Sequence, residues 1–219
     1  MKSLSLAHQE SVVKILCLGA HSDDIEIGCG GTILKLIRDH HGDVAVRWVV
    51  FSSSAERQSE AAGSAAAFLK DAKQTELTFG KFEDSYFPYQ GSDIKKYMHK
   101  LSREFAPDMI FTHYGKDLHQ DHRLLSELTW NAFRDHWILE YEIPKYDGDL
   151  GAPNVFVPLD ESICQSKINF LLTHFKSQQA RAWFKEDAFR SIQRLRGIEC
   201  NSESGYAEAF YCRKIVVGK

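Results

Sequence analysis

Apolar, β-branched runs recur along the first half of this chain, and segments of a different periodicity separate them. Residues 12–18 (VVKILCL), 44–52 (VAVRWVVFS), 75–79 (TELTF) and 109–113 (MIFTH) read as strands. The first is nearly unbroken in apolarity, as a strand covered on both faces is. Past the glycines at 28, 30 and 31, residues 32–43 (TILKLIRDHHGD) place Ile33, Leu34 and Ile37 at helical spacing and stop at Gly42. Residues 56–72 are alanine-rich and helix-prone. Residues 92–108 set Ile94, Tyr97, Met98, Leu101 and Phe105 on one helical stripe that Pro107 ends. Strands that alternate with helices need crossovers, and right-handed crossovers build a mainly parallel sheet.

Beyond Asp121 the alternation blurs. Residues 122–137 and 162–197 read as helical, 138–144 and 154–159 as strands, and 209–217 (AFYCRKIVV) as an edge strand. There is no repeat, low-complexity segment or linker. The expectation is an α/β chain: a single Rossmann-like three-layer domain over residues 1–219, with a mainly parallel sheet and helices on both faces. With 43% hydrophobic and 26% charged residues in 219, the composition is that of a soluble globular protein with a real core. A net charge of −3 makes no electrostatic case for nucleic acid or an anionic membrane. The start, MKSLSLAHQESVVK, lacks an apolar signal core, and no apolar run is long enough to span a bilayer. Five scattered cysteines without a CxxC pair fit reduced thiols, so a cytoplasmic location is expected. Cys29 reads as a small filler between glycines.

Two clusters carry the chemistry. AHSDDIEIGCGGT (20–32) puts His21, Asp23 and Asp24 just past the first strand. HYGKDLHQDHR (113–123), past the fourth, offers His113, Asp117, His119, Asp121 and His122. In an open parallel sheet both loops lie at the carboxyl rim, where ligands gather near the switch in strand order. Imidazole nitrogen and carboxylate oxygen are natural ligands of a catalytic zinc ion, which keeps one position for water and brings its pKa to about 7. A neighbouring carboxylate that does not ligate can then take the proton. These residues alone read as a metal-dependent hydrolase. GCGGT matches neither GxGxxG nor GxxxxGK[ST], so no phosphate cradle is read from it.

The first cluster resembles the AHPDD…GxGGT signature of the LmbE/PIG-L-type zinc-dependent de-N-acetylases, and HQDH resembles their second motif, HPDH or HxDH. RQSE (57–60), FEDSYF (82–87), HFKSQ (174–178) and GYAEAF (205–210) are weaker matches that extend the resemblance over nearly the whole chain. The resemblance implies His21, Asp24 and His122 as ligands of one Zn2+ per chain, and Asp23 as the general base. It implies His119 as oxyanion stabiliser or proton donor, Asp121 as the residue orienting a histidine of the second motif, and Arg57 and Asp84 as sugar contacts. The implied reaction is hydrolysis of the acetamide of an N-acetylated amino sugar or sugar conjugate, with no nucleic-acid partner and a homo-oligomeric assembly as an option. Where the family carries proline, this chain has Ser22, which predicts a less stiff loop.

Two other functions fit the residues: a metal-dependent phosphoesterase, which needs two ions and a bridging carboxylate, and a catalytically silent sugar- or nucleotide-binding module, which has no use for Asp23. Of the remaining histidines, His40 and His41 read as helix-end residues, and His113 as either a support for the ligands or inert. His174 reads equally as functional or as helix packing. Trp130, Trp137 and Trp183 read as core or interface. Arg194 and Arg196 read as a solvated face, with a substrate phosphate as the alternative.

Overall fold

The computed structural model describes residues 12–216. Most of the stretch read for a leader, residues 1–11, and Val217 of the last expected strand lie outside the described residues. In chain order the elements are β1 (Val13–His21), α1 (Asp24–Asp39), β2 (Val44–Ser52), α2 (Ala55–Phe68), β3 (Gln74–Phe79), α3 (Gly91–Glu104) and β4 (Met109–His113). They continue with α4 (Gln120–Ala132), β5 (Trp137–Tyr141), β6 (Val155–Pro158), α5 (Glu161–His174), α6 (Glu186–Glu199) and β7 (Ala207–Tyr211). The strands form one sheet in the order β3-β2-β1-β4-β5-β7-β6. The first five are parallel, and β7 and β6 close the sheet antiparallel.

Strand β1 shows why helices must cover both faces. Its side chains alternate, so Ile15 and Cys17 enter one core with Trp48, Phe111 and Ile33, while Leu16, Leu18 and Ala20 enter another with Met98, Leu101 and Ile110. Helices α1, α2, α5 and α6 pack on the first face, and α3 and α4 on the second. Strand order reverses at β1, whose neighbours are β2 and β4. The crevice at the carboxyl ends of β1 and β4 is therefore the ligand position that this topology provides.

Four expectations are corrected. Helix α1 begins at Asp24, so Gly28, Gly30 and Gly31 lie inside it. A Cβ at Gly28 would stand 2.1 Å from the Tyr141 ring, and one at Gly30 2.6 Å from Phe68. The glycines let a helix press against its neighbours, an override of helix propensity by packing. The helix read over 122–137 ends at Ala132, because Trp137 pairs with Met109 and starts β5. The helical stretch 162–197 is two helices, α5 and α6, with a short 3₁₀ turn at Lys176–Gln178 after the first. Strand β7 is not the edge: β6 is, and all five β7 residues are buried. Arg213 and Lys214, part of the segment read as an edge strand, follow β7.

Candidate metal centre

Strand β1 delivers His21 to the rim and the chain then turns sharply. Asp23 takes φ +91°, a left-handed conformation that aspartate tolerates better than most residues. It caps α1, with its carbonyl accepting from Ile27 N–H at 2.9 Å, and Asp24 opens the first turn. From the carboxyl end of the neighbouring strand β4, His119 caps α4 and His122 sits in that helix's first turn. Two loops more than 90 residues apart in sequence meet here, as the paired clusters predict.

The three residues expected to ligate form a small triangle. His21 Nδ1 lies 3.3 Å from His122 Nε2 and 3.5 Å from Asp24 Oδ2, and the last two are 3.6 Å apart. A tetrahedral zinc ion with bonds of about 2.0–2.1 Å spaces its ligand atoms roughly 3.3–3.4 Å apart. The donor set and its spacing fit that ion. All three residues are buried.

The other nitrogen of each histidine is held by a carboxylate. His21 Nε2 is 3.1 Å from Asp121 Oδ2 and 3.1 Å from Asp84 Oδ1, and His122 Nδ1 is 3.0 Å from Asp117 Oδ2. A proton held on those nitrogens leaves His21 Nδ1 and His122 Nε2 with free lone pairs, the arrangement in which an outer carboxylate fixes tautomer and ring orientation. Asp121 is itself fixed by Ser85 N–H at 2.7 Å and Phe87 N–H at 3.2 Å. Lys145 contacts Asp117 at 3.1 Å and pairs with Asp149. His113 stacks on His122 with centroids 3.9 Å apart, and its Nε2 lies 3.2 Å from Asp24 Oδ2 and 3.2 Å from the Tyr141 hydroxyl.

Charge follows from this crowding. Burial alone would lower the His21 pKa, but Asp121, Asp24 and Asp84 hold it well above the usual range, so the pocket favours positive charge at this point. Burial, and then His113, push His122 down to about 4 and keep it neutral. Burial raises Asp23 to about 7, against the pull of Arg57, whose Nη2 lies 2.9 Å from Asp23 Oδ1. Burial and His21 lower His119. Its Nδ1 accepts from Asp121 N–H at 3.3 Å, which leaves the proton on Nε2.

Several sequence readings find a different position. Asp121 meets the histidine of the first motif, where an orienting role within the second motif was expected; Asp117 serves His122 instead. Arg57, expected at the sugar, grips Asp23 and the Ser22 carbonyl. Asp84 stands at the mouth beside His21. His174 packs against Gly63 of α2. Arg196 is buried between Glu142 and Glu199, so it is not part of a solvated face; Arg194 is exposed, as a solvated face requires, and donates to the Gly205 carbonyl. Cys29 is buried, as a filler would be. Lys145, Tyr141 and Ser53 had no signal in the sequence, because a turn and a sheet crossing bring them to the site. A cavity of about 560 Å³ lies elsewhere, lined by Leu172, Lys176, Phe184 and Lys185.

A family model described as PIG-L, GlcNAc-PI de-N-acetylase, matches residues 16–133. An uncharacterized deacetylase of Escherichia coli K12, YaiS, is 26% identical over 166 residues, 73% of this chain and 89% of that protein. The structure resembles N,N'-diacetylchitobiose deacetylase from Pyrococcus horikoshii with a TM-score of 0.72 at 22% identity, covering 91% of this chain and 83% of the other. It also resembles GalB, the 4-carboxy-2-hydroxymuconate hydratase of Pseudomonas putida, with a TM-score of 0.77 at 17% identity over 94% and 98% of the two chains. One fold thus carries more than one chemistry, and function has to be argued from the site. No helix among the described residues is long and apolar enough to cross a membrane.

Proposed function

Because the chain belongs to the PIG-L family of GlcNAc-PI de-N-acetylases, we propose that it hydrolyses the acetamide of an N-acetylated amino sugar or sugar conjugate, releasing acetate and a free amine. The observation that carries this reading is the triangle of His21 Nδ1, Asp24 Oδ2 and His122 Nε2, with Asp23 next to it. These three residues would hold one zinc ion. When bound, zinc supplies a charge that polarises the acetamide carbonyl and acidifies a water.

The chain's own groups do the rest. Asp23, poised near neutrality by burial, accepts a proton from the attacking water. His119, neutral with its proton on Nε2, donates a hydrogen bond to the oxygen that becomes negative in the tetrahedral intermediate. Because a neutral His119 has no proton to spare, Asp23 returns its own to the departing amine. Arg57 holds the base in place, and Asp121 and Asp117 hold the two imidazoles. Asp84, exposed at the mouth with Oδ1 on His21, would meet a sugar hydroxyl through its other carboxylate oxygen. A single ion suits the triangle better than the pair a phosphoesterase needs, because it takes one nitrogen from each of His21 and His122 while Asp121 and Asp117 engage the other.

The test is metal analysis paired with a free-amine assay on N-acetylglucosamine, diacetylchitobiose and a nucleotide-linked N-acetyl sugar. Asp23→Asn is the decisive variant, since asparagine also tolerates positive φ and so leaves the turn intact. It should retain zinc and lose about 10²–10⁴ in kcat, the usual share of a general base. Turnover that survives in Asp23→Asn, or a zinc-loaded wild type that frees no amine, rejects the proposal.

A further inference from the structure

Behind the metal loop, a buried ion pair reaches the backbone of α1. Lys167 Nζ, from α5, donates to the Ile27 carbonyl at 2.5 Å and to Glu208 Oε1, from β7, at 2.6 Å. Glu208 in turn accepts from Gly31 N–H at 2.8 Å and Thr32 N–H at 2.6 Å. The Ile27 carbonyl and the Gly31 N–H are i, i+4 partners in the helix ladder, and the pair straddles that step. Lys167 is 2% exposed and Glu208 4%. The catalytic scheme above uses neither.

We infer that Lys167 and Glu208 are positioning residues of the metal centre. They set the opening turns of α1 and, through them, the Asp23–Asp24 turn; the inference rests on the metal reading of His21, Asp24 and His122. Ile27 is the link. Its N–H closes the first helical turn on the Asp23 carbonyl at 2.9 Å, while its carbonyl takes the lysine. The close approach also bears on Gly31, where a Cβ would stand 2.9 Å from Glu208 Oε1 as well as 2.6 Å from Leu159 Cδ1. Two apolar side chains could fill this space with less desolvation. What charged groups add is direction, because hydrogen bonds fix where a peptide group points and packing alone does not. The inward pull on Ile27 and Gly31 acts one to two turns from the ligand Asp24.

Co2+ binding to the full chain is the readout, since cobalt's visible absorption reports ligand geometry independently of turnover. Wild type is compared with Lys167→Met, the isosteric Glu208→Gln, and Leu101→Ala as a control in the core on the other face of the sheet. Measurements are made at a temperature where urea titration shows every variant folded. Lys167→Met and Glu208→Gln should each weaken Co2+ binding about ten-fold or more, the size of effect typical of groups that orient ligands, and shift the visible band. Leu101→Ala should leave both unchanged despite its lower stability. Wild-type affinity and spectrum in both pair variants, or an equal loss in Leu101→Ala, overturns the inference. If Lys167→Met does not fold, Glu208→Gln decides alone. A wild type that binds Co2+ but frees no amine rejects the deacetylase reading and leaves this one standing; a wild type that binds no Co2+ rejects both.

Discussion

Ser22 stands where the family carries proline, and the structure shows what the substitution brings. Its hydroxyl, fully buried, lies 2.7 Å from the Ser53 hydroxyl, and its carbonyl accepts from Arg57. A hydrogen bond to the loop after β2 thus restrains the segment that the ring of proline would stiffen. Ser22→Pro exchanges that bond, worth about 1 kcal/mol net, for an entropic gain of about 0.4–1 kcal/mol. Its stability should therefore stay within about 1 kcal/mol of wild type. Ser53→Ala should cost more, roughly 1–2 kcal/mol, because it strands a buried hydroxyl. Combining the two changes should recover the loss. Urea titration of the three variants checks the order, and a Ser53→Ala protein as stable as wild type would show that the serine pair restrains nothing. At this scale the residues that converge, His21, Asp23, Asp24 and His122, were legible, since HxDD and HQDH are short and local. Asp117 stood in the second cluster without a role, and Lys145 and Ser53 carried no signal: their roles depend on which loop tertiary structure lays beside them.

Helix α1 shows where periodicity misleads. Read as a loop followed by a helix, its glycine-rich opening is helical because Tyr141, Phe68, Leu159 and Glu208 press on positions 28, 30 and 31, and that pressure is invisible before the fold is known. The same helix buries Glu26 against α2. Its carboxyl and the nearby Ser64 hydroxyl lack well-formed hydrogen bonds, and burial pushes the Glu26 pKa up to about 8 from an ordinary 4.5. Folded protein therefore keeps this proton across a pH range in which the unfolded chain has lost it. As pH rises from about 4.5 to 8 the unfolded state binds fewer protons than the folded state, so stability falls, and above 8 this contribution levels off. Glutamine carries no such proton. In chelator-treated protein, Glu26→Gln should match wild type near pH 5 and become progressively more stable toward pH 8, by a few kcal/mol at most. Parallel melting-temperature curves for the two proteins across that range would show that Glu26 ionises as an ordinary carboxylate.

Across the whole molecule, strands β1 to β4 were legible because each is a short strand-forming run with a helix after it. The two antiparallel strands were read as well, at 154–159 and 209–217, but not their order. Strand β7 has a buried glutamate whose partner, Lys167, comes from α5, and Pro158 ends a four-residue β6 that pairs through only one edge. The topology sends the first-motif loop and the second-motif loop to one crevice with carboxylates on every side, so an ion held there ties β1 and α1 to β4 and α4. An ion that binds the folded state alone adds about 4 kcal/mol at a thousand-fold excess over its Kd. For a chain of this length that corresponds to roughly 8–16 °C in Tm. Chelation should lower Tm by that order, and zinc should restore it. The increment should also depend on pH with a definite sign. Asp121, Asp24 and Asp84 favour a proton on His21, after burial has been overcome, and a ligand nitrogen must be free of it. Acid therefore competes with the ion, and the Tm gain from zinc should shrink as pH falls from 8 to 6. Scanning calorimetry with and without zinc at each pH reads this directly. A gain that is constant with pH would mean that the ion does not displace a proton from His21 and is held by other groups.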